Sequence, residues 1–366
     1  MSLSNTHQNT STDVLESIKI RRILLPIVLG LGVVLWLMSR QLDWNELYRI
    51  PFTGYTLFWI FMAILMYIIR HLFYAWRLRV MTSGDFKFWK SMELIVIWEF
   101  ASSVSPTSIG GSAVALFLLA QEKISGAKTV AVVLYSMVLD TIFFIVSLPL
   151  LYIIIGPLII RPGMESITDI DGYGYTFFAI VLFMASYGAL FAYGLFYRPV
   201  QMKRLLLFIS RWKILGRFKQ DLRKTALDVV TTSKEISGQS WKFHTYSMIA
   251  TTGAWVARFL ALNCILLALI AALPTDFMSQ LLIYARSETM HAITAFSPTP
   301  GGAGVAEYLF GGFYSDFIPN GISTVIAFVW RLITYYPYLI AGAIIIPVWI
   351  REVAIRKKRE KLEHSH

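Results

Sequence analysis

Cysteine is almost missing from this chain. Cys264 stands alone, which excludes an internal disulfide and a cysteine-based metal cluster. Charge is scarce as well: 15% of the 366 residues are Asp, Glu, Lys or Arg, against about 25% in a soluble protein of ordinary composition. There is no HExxH, CxxC, Walker or dinucleotide-binding glycine pattern, so no metal, ATP or dinucleotide site is supported and no cofactor is expected. Asp169-Ile170-Asp171 has the D-x-D form that can hold a metal, but three letters match by chance and these lie in a Gly-rich acidic loop. No cleavable signal peptide is expected, because twenty-odd polar residues precede the first apolar run and no small-residue cleavage site follows it.

What is present is apolar. Hydrophobic residues make up 56% of the chain and aromatic residues 15%, and the mean hydropathy is +0.60. One globular core cannot hide that excess, so the solvent is a bilayer and the chain is polytopic. A helix needs about 20 apolar residues to cross the ~30 Å hydrocarbon core. Six runs qualify, at about 22–38, 55–76, 129–155, 175–197, 245–273 and 321–350. The expected fold class is all-α, a transmembrane helix bundle.

The formal net charge of +11 would suggest nucleic acid on a soluble protein; its placement argues against that partner. Residues 198–242 carry eleven cations against three acids, and the tail from Arg351 adds six cations and three acids. The stretch 156–174 has one cation, Arg161, and the acids Glu165, Asp169 and Asp171. By the positive-inside bias the first two are cytoplasmic and the third lies outside, which places the protein in the cell (inner) membrane with both termini cytoplasmic. Basic and apolar residues alternate in 198–242, as expected of helices on an anionic inner leaflet; docking of a cytosolic protein is the alternative.

Two further apolar regions, 93–119 and 279–317, are broken in the middle. One contains Ser105-Pro106-Thr107-Ser108-Ile109-Gly110-Gly111-Ser112-Ala113-Val114-Ala115. The other contains Ser297-Pro298-Thr299-Pro300-Gly301-Gly302-Ala303-Gly304-Val305-Ala306-Glu307. With one gap they align as an internal repeat. A backbone break in lipid is tolerated only inside protein or beside water, so each region is expected to be a re-entrant hairpin; two tilted spans are the alternative for 279–317. The expected organisation is a disordered cytoplasmic stretch 1–20, a membrane repeat 21–155, an extracytoplasmic linker 156–174, a second repeat 175–350 of inverted topology, and a basic tail 351–366. Matched breaks of this kind point to a transporter's substrate site; close helix packing is the plainer reading.

The second motif, followed by Arg331-Leu332-Ile333-Thr334-Tyr335-Tyr336, resembles the transmembrane (flippase-like) region of lysylphosphatidylglycerol synthases. Relatives consisting of that region alone share the pattern, including archaeal dolichol-phosphate hexosyltransferase-like proteins. The resemblance runs from about residue 20 to 350. The first motif departs from it: Ser112 replaces the usual acid, and residues such as Ala115 and Leu116 stand where an arginine is usual. The basic residue usual before the acid of the next span is also missing, although Asp140 remains. Only 16 residues follow the last span, so lysyl transfer by this chain alone is not expected.

Ionisable groups near a bilayer centre cost at least ~2.5–3.5 kcal/mol each on insertion scales. The candidates are Glu99, Asp140, Arg258, Arg286, Glu288, His291, Glu307 and Arg331. Glu307 either serves the substrate or simply neutralises Arg331 or Arg258. Glu288 and His291, three apart, form either a local pair or a proton relay, and Arg286 is expected to snorkel to an interface. The expected substrate-binding set is Ser105, Pro106, Gly110, Gly111, Ser112, Asp140, Arg258, Ser297, Pro298, Pro300, Gly301, Gly302, Gly304, Glu307 and Arg331. Half-helix N-termini after the double glycines, with arginines nearby, suit an anionic lipid headgroup. The expected function is movement of a phospholipid or lipid-linked phosphate or sugar between leaflets. A membrane glycosyl- or acyl-transferase, or a scaffold recruiting a cytosolic partner, are the alternatives.

Overall fold

The computed structural model describes residues 52–363 except 106–107, 123, 170–171, 210–229, 232, 296–298, 300–304 and 319–321. The expected first span, 22–38, and the N-terminal stretch 1–20 lie outside this set, as does the middle of the basic loop, 210–229.

Among the described residues there is no strand. The helices of the described residues include, in order, α1 Gly54–Met81, α2 Phe88–Val104, α3 Ser108–Ala120, α4 Gly126–Ile155, α5 Gly172–Ala192, α6 Pro199–Ile209, α7 Trp241–Leu269, α8 Phe277–Thr294, α9 Val305–Phe313, α10 Ser323–Thr334 and α11 Tyr336–Glu363. Several start where an oxygen-bearing side chain accepts from an orphan backbone N–H of the first turn. Thr53 accepts from Thr56 (3.3 Å), Ser125 from Lys128 (3.1 Å), Ser240 from Phe243 (3.4 Å) and Asp276 from Ser279 (3.0 Å). The helix-terminal N–H groups hold the exposed Asp276 carboxyl below its usual range.

Among the described residues five helical stretches are long and apolar enough to cross a membrane: Gly54–Met81, Gly126–Ile155, Gly174–Tyr197, Trp241–Leu269 and Val325–Glu360. They match five of the six runs, and the chain is an all-α polytopic bundle. Large apolar side chains on these spans, such as Ile153, Leu182, Phe183 and Ile344, are exposed, as a lipid solvent requires. α7 is the central span, with 72% of its apolar window buried against 22–39% for the others. It packs along α1, where a Cβ on Gly253 would sit 2.6 Å from the Phe73 ring.

The run 321–350 is built of two helices rather than one. Pro337, one residue into α11, lacks an N–H and crowds the carbonyl four residues back, and the chain turns at Tyr335 (φ −125°, ψ −55°). The two arms nevertheless carry on as a single candidate span.

Both broken regions form paired arms. α2 and α3 lie so close that a Cβ on Gly111 would fall 2.0 Å from Ser102 Oγ. α9 is described over 9 residues, or ~14 Å of helix, and packs beside α8. The open end of α2–α3 sits with the C-terminal helix: Glu122 accepts from Trp349 Nε1 at 2.6 Å and Arg356 Nη1 at 3.1 Å, and lies 3.5 Å from Lys90 Nζ. Lys357 reaches Gln121 Oε1 at 2.6 Å. The open end of α8–α9 sits at the opposite end of the bundle, beside the short turn Pro157–Ile159.

Candidate functional site

The positions of the ionisable groups follow from helical periodicity. Residues 70, 74 and 77 of α1 share one face, and it turns inward. Arg70 is 1% exposed, and its Nη2 donates to Glu99 Oε2 on α2 at 2.6 Å. Its guanidinium lies over three tyrosine rings, Tyr67 (5.3 Å), Tyr74 (4.8 Å) and Tyr338 (5.3 Å), so cation–π attraction replaces part of the lost hydration. Among the described residues Nε and Nη1 of Arg70 have no hydrogen-bond partner. Arg77 faces the other side of Tyr74 (4.6 Å) and donates to Asp140 Oδ1 on α4 at 2.5 Å. Trp255 Nε1 on α7 donates to that same carboxylate oxygen at 2.9 Å.

Arg258 lies over the Trp255 ring (5.5 Å) and within electrostatic reach of Arg70, Glu99 and His291. It makes no ion pair among the described residues. His291, on α8, sits in an aromatic box of Trp255 (4.9 Å), Phe144 (5.8 Å) and Phe259 (5.8 Å). The cluster is closed by the turn between α10 and α11. Tyr335 donates to the Ser103 carbonyl at the end of α2 (2.9 Å), Tyr67 to the Thr334 carbonyl (2.6 Å), and His71 Nδ1 is 3.0 Å from the Tyr338 hydroxyl. Buried Arg331 stands over Tyr335 (4.9 Å) and Trp330 (5.2 Å) in the last turn of α10.

The expected set is therefore only partly gathered. Arg258 and Asp140 join the cluster, and Arg331 lies beside its closing turn. Asp140 is tied to Arg77, which lies just past the apolar run 55–76. Arg77 is buried, because α1 continues to Met81 and carries it on the inward face. Ser105 caps α2 by donating to the Ala101 carbonyl (2.7 Å), Gly110 and Gly111 lie in the first turn of α3, and Ser112 is half-buried on it. Pro106, Ser297, Pro298, Pro300, Gly301, Gly302 and Gly304 lie outside the described residues. Glu307 is in the first turn of α9, but its side chain is also outside that set.

Two further expectations are corrected. Arg286 does not snorkel: it is 0% exposed and binds Asp316 Oδ1 (2.6 Å), the Phe313 carbonyl (3.1 Å) and the Leu158 carbonyl (2.9 Å). Two backbone carbonyls and the Asp316 carboxylate, itself exposed, satisfy the guanidinium where it is buried, so it has no need to reach out to an interface. Glu288 and His291 do not pair with each other. Glu288, 0% exposed, accepts from the Ser147 hydroxyl on α4, and its Oε2 has no partner. In the D-x-D sequence, Asp169 Oδ2 accepts the backbone N–H groups of Glu165 (3.2 Å) and Ser166 (2.9 Å), which makes it a turn cap. Asp171 lies outside the described residues.

Sequence reading missed Arg70, His71 and the tyrosines around them. The signal was present, since Arg70 and His71 fall inside the apolar run 55–76 and obey the same rule that singled out Arg258.

Relatives agree with this architecture. A curated UPF0104 membrane protein of Archaeoglobus fulgidus is 22% identical over 322 residues, covering 84% of this chain and 88% of its own. The profile described as "Lysylphosphatidylglycerol synthase TM region" matches residues 23–342, which takes in every helix of the cluster, from Arg70 on α1 to Tyr338 on α11. The helix order, the broken segments and the intramembrane charges thus fall within one matched region, and the chain belongs to the lysylphosphatidylglycerol synthase transmembrane-region family.

Proposed function

We propose that this protein is a flippase-like translocator that moves an anionic phospholipid, or a lipid-linked phosphate or sugar, between the leaflets of the cell membrane. The observation that carries the reading is Arg70, a buried cation with two N–H-bearing nitrogens unpartnered, beside a second arginine, Arg258, where four spans and the end of a broken segment converge. A buried charge of this kind is costly unless it is used, and unfilled donors on a guanidinium fit a phosphate or carboxylate. The basic segment 198–242, whose first part is the short helix α6, would lie on anionic inner-leaflet lipids with both termini cytoplasmic.

The two halves suggest how the movement runs. Arg70 and Arg258 are 188 positions apart, Glu99 and Glu288 are 189 apart, and Asp140 and Arg331 are 191 apart. Glu99 and Glu288 are each the twelfth residue of their helices. Arg70 and Glu99 are bonded, whereas Arg258 and Glu288 are not. Inverted repeats exchange conformations when a transporter changes its open side, so the opposite state would join Arg258 to Glu288 and release Arg70 from Glu99.

The test is lipid translocation in protein-reconstituted liposomes, with headgroup-labelled anionic and zwitterionic lipids and quenching from outside. Arg258→Gln is the informative variant, because among the described residues Arg258 holds no ion pair whose loss would unfold the protein. Protein-dependent translocation that falls at least tenfold in Arg258→Gln is the expected result. Equal rates in wild type and variant would remove the site, and no translocation of any lipid would remove the function.

A further inference from the structure

A second feature lies apart from the arginines. Between α1, α7 and the start of α8 there is a cavity of about 350 Å³ lined by Trp59, Met66, Asn263, Cys264, Thr275 and Gln280, among others. That is the lower end of the range for small-ligand sites. No lining residue is charged, so an anionic group has nothing to bind it there.

Among the described residues two buried polar atoms on its wall are unsatisfied, and they are of opposite type. Asn263, 5% exposed, gives both protons of its amide to Gln280, to the backbone carbonyl at 2.8 Å and to Oε1 at 3.0 Å. These bonds fix the amide orientation and leave Oδ1 as an acceptor with no donor. Trp59 Nε1 is a donor with no acceptor. Buried polar atoms without partners are rare enough to need a reason. A hydroxyl accepts from one group and donates to another at the same time. The rest of the wall, with Met66, Leu260 and Leu267, is apolar and suits the C–H face of a small ring.

The depth indicates where such a group comes from. Trp59 is packed edge-on against Tyr55 (6.2 Å) and Phe58 (5.3 Å) in the first turns of α1, and Thr275 at the cavity mouth is exposed. Aromatic clusters of this kind sit at the level of lipid headgroups. We infer that this cavity is a binding site for an uncharged, hydroxyl-bearing lipid headgroup such as a hexose. This holds whether or not the protein translocates lipid.

Cys264 on the cavity wall is the chain's one cysteine and so reports on occupancy. Its rate of alkylation by N-ethylmaleimide would be followed by intact mass in phosphatidylcholine nanodiscs. Monoglucosyl diacylglycerol should slow the reaction at least threefold, and diacylglycerol without a headgroup should not. Asn263→Leu should abolish the protection. Trp59→Phe, which keeps the ring and loses the N–H, should raise the glycolipid needed for half-protection several-fold, and this milder change decides the matter if Asn263→Leu does not fold. Equal rates with and without glycolipid would mean that the cavity holds only water. Protection by methyl glucoside in solution, equal to that by the lipid, would overturn the headgroup as its source.

Discussion

Arg70 and Glu99 show what a single pair demands in this setting. Removing one partner strands the other charge in low dielectric, whereas replacing both with apolar groups removes the demand. Arg70→Met should therefore cost about 3–5 kcal/mol, and Arg70→Met with Glu99→Leu should recover most of that. Thermal unfolding in detergent reads the difference, and a double variant no more stable than the single would show that the pair is not the source of the cost. Under the proposed function, translocation stays lost in both. Part of this was legible beforehand. Arg258 and Asp140 stand inside apolar runs, so their type alone marked them. Arg77 could not be read that way, because at the edge of a run an arginine has the same local signature whether it faces water or Asp140. Trp255 and Ser147 are ordinary residues for a span; only the packing of α7 on α4 and of α8 on α4 gives them a charged partner.

At the level of elements, the breaks and spans were legible because Pro, Gly and run length act locally. The seating of one helix on another was not, since it depends on which faces meet. Two seats can be tested. Arg286 ties α8 to the end of α9 and to the turn after α4, and Arg286→Met should leave Asp316 without its cation and two carbonyls without a donor. A loss of about 3–5 kcal/mol is expected, and protease cleavage near 314–322 should rise with it; unchanged proteolysis would mean that the clamp is not what holds this hairpin closed. The second seat is Gly342 on α11, where a Cβ would meet the Phe100 ring of α2 at 2.5 Å. Gly342→Ala should destabilise by roughly 1–3 kcal/mol through overpacking, whereas Gly312→Ala, with nothing within 4 Å of the added carbon, should not. Equal thermal midpoints for the two variants would contradict the close approach.

For the whole molecule, the proposed exchange between halves makes a prediction that the static arrangement does not. In a Cys264→Ala background, Arg70→Cys with Glu99→Cys should be joined by a bifunctional thiol reagent in the conformation described here. Arg258→Cys with Glu288→Cys should be joined only in the opposite one. Anionic lipid should raise one cross-link at the expense of the other. If the second pair never links under any lipid condition, the two halves do not trade places.

The base of the α2–α3 hairpin, its middle and its tip are all fastened to the same run of chain. Glu122 holds Arg356 and Trp349 at one end, Phe100 bears on Gly342 between them, and Ser103 receives the Tyr335 hydroxyl at the other. From Tyr335 to Arg356 is 21 residues, or roughly 31 Å of helix. Mechanically, the hairpin and α11 form one beam pinned at three points, with its flexure at the turn before Pro337. A beam of this kind cannot swing at its tip without turning at its foot, so neutralising the buried Glu122 at that foot should alter events around Arg70 with no chemical change there.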